Sequence, residues 1–263
     1  MSFEQQRIWI TGASSGIGEA LARQLAAQGA SLILSARRDQ ELTRVKNECR
    51  NPERHIAVSL DMKQPDQIVA RVEEIESEFG PIDVLINCAG VSQRSTSEET
   101  TAEVEREIME INYFGTINIT KAVLKFMRKR GHGQVVTVSS VSGKIGSPGR
   151  TSYCASKHAI LGYMDALRAE VKKHGIDIAV IMPGYVQSNL AINARLGDGS
   201  QFGATDRLIA NGMNVEQFAT RMIKAIKQKR KETVIAKGIS LAGYYLHRLS
   251  PNLYHKLLPN FTG

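Results

Sequence analysis

What this 263-residue sequence lacks narrows its function first. Cysteine is scarce: Cys49, Cys88 and Cys154 are odd in number and irregular in spacing, giving neither a disulfide framework nor a zinc pattern. A reducing, cytoplasmic location is therefore expected. The six histidines (His55, His132, His158, His174, His247 and His255) show no metal-ligand spacing, so no metal is expected. No apolar run is long enough to cross a bilayer. Residues 1–6 are too polar to resemble a secretion signal. No Pro-, Gly- or Ser-rich linker divides the chain, and no repeat recurs. The net charge of +8 is accompanied by no aromatic stacking platform or recognition helix, so nucleic acid is not an expected partner. The basic runs 125–130 and 224–231 fall at the ends of expected helices, where cations complement the helix dipole.

What is present is a strict alternation. Apolar stretches at 7–11, 31–35, 55–60, 83–87, 134–139 and 176–182 read as strands. Between them 15–28, 40–49, 65–79, 102–130 and 151–173 read as helices, with Ile17, Leu21, Leu25 and then Ile68, Val72, Ile75 at helical spacing. Alternating strands and helices with nearly all-apolar strands imply a parallel sheet covered on both faces. The expectation is one α/β domain over 1–263, doubly wound, with about seven strands. Residues 189–212 break the rhythm with four glycines, just past the sixth strand where ligands bind in such sheets. A mobile substrate lid is expected there.

The first strand runs into Thr11-Gly12-Ala13-Ser14-Ser15-Gly16-Ile17-Gly18, which opens a helix. Glycines let the backbone turn sharply and approach a pyrophosphate, and the helix start supplies N–H donors. A protein selecting NAD places a carboxylate at the end of the second strand, on the ribose 2′-hydroxyl. Here that position reads Ser35-Ala36-Arg37-Arg38, and guanidiniums pair with a 2′-phosphate. NADP(H) is the expected cofactor. Tyr153 and Lys157 stand four apart on an expected helix and share a face. A phenol is a poor base at neutral pH unless a nearby cation favours its ionised form. Ser140, at the end of the fifth strand, stands where its hydroxyl can reach a substrate oxygen.

With these motifs in order, the chain resembles the short-chain dehydrogenase/reductase superfamily over nearly its whole length, a Rossmann-type fold. Asp61 after the third strand, Asn87-Cys88-Ala89-Gly90 after the fourth, Asn112 in the long helix and Pro183-Gly184 after the sixth carry the match. So does Ser140, thirteen positions before Tyr153. Asn112-Tyr113-Phe114-Gly115, Gly143-Lys144 and the C-terminal tail are similar to the hydroxysteroid-dehydrogenase-like branch.

The resemblance implies roles. Tyr153 is the general acid in reduction and the base in oxidation; Lys157 lowers its pKa and holds the nicotinamide ribose. Ser140 orients the carbonyl and Asn112 supports a proton relay through water. Gly12, Ser14, Ser15, Gly16, Ile17 and Gly18 cradle the pyrophosphate, and Arg37 and Arg38 the 2′-phosphate. Asp61 and Met62 contact the adenine, Asn87, Ala89 and Gly90 pass beneath the ribose, and Pro183, Gly184, Val186 and Ser188 meet the carboxamide end. Ser92, Gln93, Ser140, Val141, Tyr185 and Leu190 border a small carbonyl or alcohol substrate. Two departures are Cys88, where asparagine is usual, and Ser188, where threonine is usual.

The other reading is a cofactor-binding regulator without catalysis; such proteins typically lack the tyrosine or the lysine. A homodimer or homotetramer is expected through the two long helices, on which Ile119, Val123, Phe126, Ile160, Met164 and Leu167 exceed what one sheet face needs. The tail, 239–263, carries leucines and tyrosines near helical period among basic residues. It is expected to pack near the cleft or at a subunit contact, with peripheral membrane association the weaker option.

Overall fold

The computed structural model describes residues 3–257. The expected strands form β1 (Arg7–Thr11), β2 (Ser31–Ala36), β3 (Ile56–Ser59), β4 (Val84–Asn87), β5 (Gly133–Val138) and β6 (Ile176–Pro183). The seventh strand, expected in number but not in position, is β7 (Glu232–Ile235), a short strand behind a charged run. All pair in parallel, in the order β3-β2-β1-β4-β5-β6-β7. This is the Rossmann-type sheet with helices on both faces. The chain reverses direction across the sheet between β1 and β4, and a crevice opens there at the carboxyl ends.

Strand alternation builds two cores. On one face Ile8 and Ile10 of β1 and Val84 and Ile86 of β4 pack with α1 (Gly16–Ala27), α2 (Asp39–Glu48) and α8 (Val215–Lys227). On the other, Trp9 and Leu85 pack with α3 (Pro65–Glu78), α5 (Thr116–Arg130) and α6 (Thr151–Val171). The Trp9 indole N–H donates to Ser35 Oγ at 2.8 Å, so its polar edge is satisfied inside the sheet.

The helix expected over 102–130 runs without a break but is not α-helical throughout. α4 (Ala102–Met109) passes through a π-helical turn, Glu110–Gly115, into α5. π turns recur at functional sites because they re-aim a side chain within a continuous helix. The surplus of apolar residues invoked for oligomer contacts is not found. Ile119, Val123, Ile160, Met164 and Leu167 are buried in this monomer's own core, with Phe126 packed against it.

Residues 189–212 hold the short helix α7 (Arg207–Ala210) and are tied down at several points. Arg195 N donates to Ser92 O and Arg94 N to Arg195 O, each at 2.8 Å. The Arg195 guanidinium makes two bonds to Glu107, at 2.9 and 3.1 Å. The tail forms α9 (Gly238–Leu249) and α10 (Pro251–Leu257). Tyr244 and Tyr254 join Val141 and Ile145 in a third small cluster, and Tyr254 Oη donates to Gly146 O at 2.8 Å. Tyr245 and Leu249 stay exposed, Leu249 at 83%. Leu258 and the rest of 258–263 lie outside the described residues. Among the described residues no helix is long and apolar enough to cross a membrane.

The Arg195–Glu107 pair gives a test of lid opening. Trypsin reaches Arg195 only when this pairing opens. Removing a partly buried ion pair worth about 1 kcal/mol raises the open population about fivefold. Glu107→Gln is therefore expected to speed cleavage after Arg195 by about that factor, and saturating cofactor and substrate to slow it. Equal cleavage rates in wild type and variant, followed by mass spectrometry, would show that opening does not involve this pair.

Candidate active site

One cavity of about 950 Å³ lies along the carboxyl ends of the strands and takes in most of the expected site. Its nucleotide end begins where β1 stops. Gly12 has φ +68°, and a Cβ there would lie 2.8 Å from Ala89 Cα, so only glycine lets the two turns meet. Gly18 is constrained by space: a Cβ would fall 2.3 Å from Gly12 O. Thr11 Oγ1 accepts from Cys88 N and Ala89 N, at 3.0 and 3.1 Å, and so joins the loops after β1 and β4.

The first turn of α1 has no side-chain cap at Ser15, and Ser14, Ser15, Gly16, Ile17 and Gly18 line the cavity. Uncapped N–H donors at a helix start suit a pyrophosphate. Thr11 pairs with Ser35 across the sheet, which sets Arg37 and Arg38 beside this turn. Both line the cavity; Arg38 Nη2 donates to Ser14 Oγ and Ser15 Oγ, at 3.1 and 3.2 Å. Asp61, Met62, Ala89, Gly90, Pro183, Gly184, Val186 and Ser188 complete the wall. These residues fit a dinucleotide in extended form.

Ser140, Val141, Tyr153, Lys157, Tyr185 and Leu190 line the other end. Ser140 follows β5, and its Oγ accepts from Ser142 N at 3.0 Å, leaving its own hydrogen to donate. Tyr153 and Lys157 lie on the first two turns of α6. Burial holds the Tyr153 hydroxyl above its ordinary value, opposed by a hydrogen bond with Ser140 and by the charges of Arg150 and Arg94. Burial also pulls the Lys157 ammonium down to about 8. Lys157 Nζ donates to Val138 O at 3.2 Å and lies 5.7 Å from the Tyr153 ring centre. Burial is the largest influence on both groups and favours the neutral form of each.

Four expected site residues lie off the cavity. Asn87 turns away from it, its amide donating to Thr120 Oγ1 at 2.9 Å and Thr137 Oγ1 at 3.3 Å. The Asn112 side chain is used within the π turn. It accepts from Val91 N and donates to Val91 O, both at 2.9 Å, and donates to Ser156 Oγ at 3.0 Å. Ser156 in turn donates to Tyr153 O at 2.7 Å, so Asn112 positions the helix that carries the tyrosine.

Ser92 and Gln93 are buried, not substrate contacts. Gln93 is 0% exposed; its Oε1 accepts from Ser152 N at 2.9 Å and Tyr153 N at 3.3 Å, while Nε2 donates to Thr100 Oγ1 at 2.8 Å. It caps the start of α6 from a distant loop. Arg94 and Arg150 also line the cavity, as do Phe202 and Asp206 of 189–212 and Tyr254 of the tail, segments expected beside the cleft without these residues being singled out. They lie in connections and the tail, where no periodicity marks an inward-facing side chain.

A parallel sheet with an open helix start at its switch point and a serine, tyrosine and lysine beside it defines a nucleotide-dependent oxidoreductase. The family model for short chain dehydrogenases matches residues 6–198, and the chain belongs to that family. It is 41% identical to the zebrafish (Danio rerio) dehydrogenase/reductase SDR family member 7B, over 98% of this chain and 85% of that one. A Streptomyces avermitilis short-chain dehydrogenase structure superposes with a TM-score of 0.83 at 30% identity, covering 96% of each chain. An actinorhodin polyketide ketoreductase solved with NADPH gives 0.79 at 28% identity, over 90% of this chain and 97% of that one. Nothing in these relatives points to the hydroxysteroid branch.

Burial of Lys157 predicts a stability trade. The folded protein loses the lysine proton near pH 8, the unfolded chain near 10.5, so between these values the unfolded state binds more protons and stability rises with pH. Below about 8 the cost of burying the charge is present in full. Lys157→Met is expected to stabilise the ligand-free protein at pH 7 by roughly 1–3 kcal/mol, after loss of the Val138 bond. Thermal unfolding should show that gain shrinking from pH 8 to 10. A variant less stable than wild type at pH 7 would contradict it.

Proposed function

We propose that the protein is an NADP(H)-dependent oxidoreductase that interconverts a ketone or aldehyde and its alcohol, with Tyr153 as general acid and base. The observation that carries this is the convergence of Ser140, Tyr153 and Lys157 on the cavity whose far end is the open start of α1. Both the tyrosine and the lysine are in place, which speaks against a catalytically silent regulator.

Pro183, Gly184, Val186 and Ser188 would hold a nicotinamide there, whose chemistry is hydride transfer to or from the carbonyl carbon. Ser140 holds the substrate oxygen by turning to it the hydroxyl hydrogen that otherwise bonds Tyr153. Tyr153 passes its phenolic proton to that oxygen as the alcohol forms, and takes it back in the reverse direction. Lys157 faces the same cavity, where its ammonium favours the phenolate left behind and grips the ribose. Asn112 holds α6 through Ser156 and, by the family resemblance, supports the proton's return through water. Arg37 and Arg38 beside the glycine turn, with no carboxylate at the end of β2, support NADP(H) over NAD(H). The mixed polar and apolar wall accommodates a steroid, an aliphatic ketone, an acyl chain or a xenobiotic quinone.

Tyr153→Phe removes only the transferable proton. Turnover is expected to fall about 10²–10⁴-fold, with NADPH binding by fluorescence titration near wild type. Most of the rate surviving would remove the tyrosine from the mechanism.

For cofactor choice, losing one charge-assisted pair to the 2′-phosphate costs about 1.5–3 kcal/mol, roughly 10- to 100-fold in affinity. Arg37→Ala should weaken NADPH by about that factor with little change for NADH, and Ala36→Asp should favour NADH. Equal dissociation constants for both cofactors in wild type would refute the assignment.

A further inference from the structure

The substrate end of the cavity carries a charge imbalance that reduction of a neutral carbonyl does not use. Arg94, in the loop after β4, and Arg150, at the start of α6, both line it, with side chains 13% and 15% exposed. Their guanidiniums converge on a single oxygen, Oδ2 of Asp206 in the 189–212 connection; Arg94 Nη2 donates to it directly and Arg150 Nη2 lies at 3.4 Å. The other carboxylate oxygen is committed elsewhere: Oδ1 accepts from Ile209 N at 2.8 Å as the cap of α7. Neither Glu105, which accepts from Ser152 Oγ at 3.2 Å, nor Glu107, paired with Arg195, lines the cavity. Two largely buried guanidiniums therefore share one carboxylate, and a net positive charge is left facing the cavity.

A buried charge without a full partner is costly, and an anionic group placed beside it offsets that cost. The two arginines are also held in defined orientations. Arg94 Cζ lies 5.9 Å from the Phe202 ring centre and Arg150 Cζ 5.8 Å from that of Tyr185. Planar, oriented guanidiniums match a carboxylate or a phosphate. They lie within electrostatic reach of the reacting hydroxyl, since both draw Tyr153 down. Burial and the facing Arg150 charge depress Arg94 itself, the direction expected of a cation short of negative partners.

We propose that Arg94 and Arg150 form a subsite for an anionic group, carboxylate or phosphate, carried by the substrate a few bonds from the carbonyl that is reduced. This rests on the reading of Tyr153 as the proton donor. Ile145, Leu208, Ile209 and Tyr254 on the adjoining wall leave an apolar surface for the carbon chain. A neutral ring ketone would leave the positive charge uncompensated.

Initial rates of NADPH oxidation on two matched pairs test the subsite. They are 4-oxooctanoate against its methyl ester, and hydroxyacetone phosphate against hydroxyacetone. In wild type the anionic member of one pair is expected to exceed its neutral partner about 10- to 100-fold in kcat/KM, and which pair responds separates carboxylate from phosphate. Arg150→Met should bring that ratio close to one, mainly through KM, and Arg150→Lys should restore part of it. A wild-type ratio near one for both pairs, or a ratio untouched by Arg150→Met, overturns the proposal. If wild type reduces none of the four compounds, the assigned reaction is what fails, and calorimetry on the NADP⁺-saturated protein judges the subsite. Binding of 4-oxooctanoate or hydroxyacetone phosphate that is lost in Arg150→Met supports it, and binding of neither anion overturns it.

Discussion

The parting of β1 from β4 at the carboxyl edge is the constraint on which the molecule depends. In a parallel sheet each strand hands the chain to a helix on one face or the other, and only where the winding reverses do two neighbouring connections diverge. That divergence exposes main-chain N–H groups of both loops. Thr11 meets part of the demand, its hydroxyl oxygen accepting from Cys88 N and Ala89 N. The α1 donors stay open and face the cavity. A fully satisfied crevice would be more stable and would hold no nucleotide.

The same logic governs the reacting end. Tyr153 and Lys157 are buried on one helix, and burial moves their protonation in opposite senses, each toward its neutral form. The surrounding hydrogen bonds serve rigidity instead. Gln93 caps the helix start from outside, and Asn112 reaches the Tyr153 carbonyl through Ser156. Tyr153 and Lys157 sit on a helix held from several sides, while Arg94 and Asp206 sit on connections and Arg150 at the point where a connection enters that helix.

How much of this was legible follows from range. Strands such as β1 declare themselves through local runs of apolar residues, and the glycine turn and the Tyr153–Lys157 spacing are local too. β7 escaped placement because Glu232–Ile235 is short and follows charged residues; its pairing with β6 makes it a strand. Gln93 read as a polar loop residue at a pocket edge, since nothing nearby in sequence reveals that the N–H groups it satisfies lie 59 and 60 positions away. The Arg94–Asp206 pair spans 112 positions and has no period to betray it. Ile119, Val123 and Met164 were legible as apolar but not as already spent on the monomer core. Periodicity reports that a side chain is buried, not what buries it.

The π turn at Glu110–Gly115 has a consequence for how this chain can change length. A π turn holds one residue more than the α-helix around it, so α4 and α5 run on as one rod while the phase of their faces shifts. Deleting any residue between them would let regular hydrogen bonding continue unbroken, and backbone stability alone would favour it. Yet each residue turns an α-helix by about 100°. After such a deletion either Val104 and Ile108 of α4 or Ile119, Val123 and Met127 of α5 would rotate out of the core, and Asn112 would swing from Val91 and Ser156. Insertions and deletions are absorbed readily by surface loops, but here the phase of two buried faces fixes the residue count.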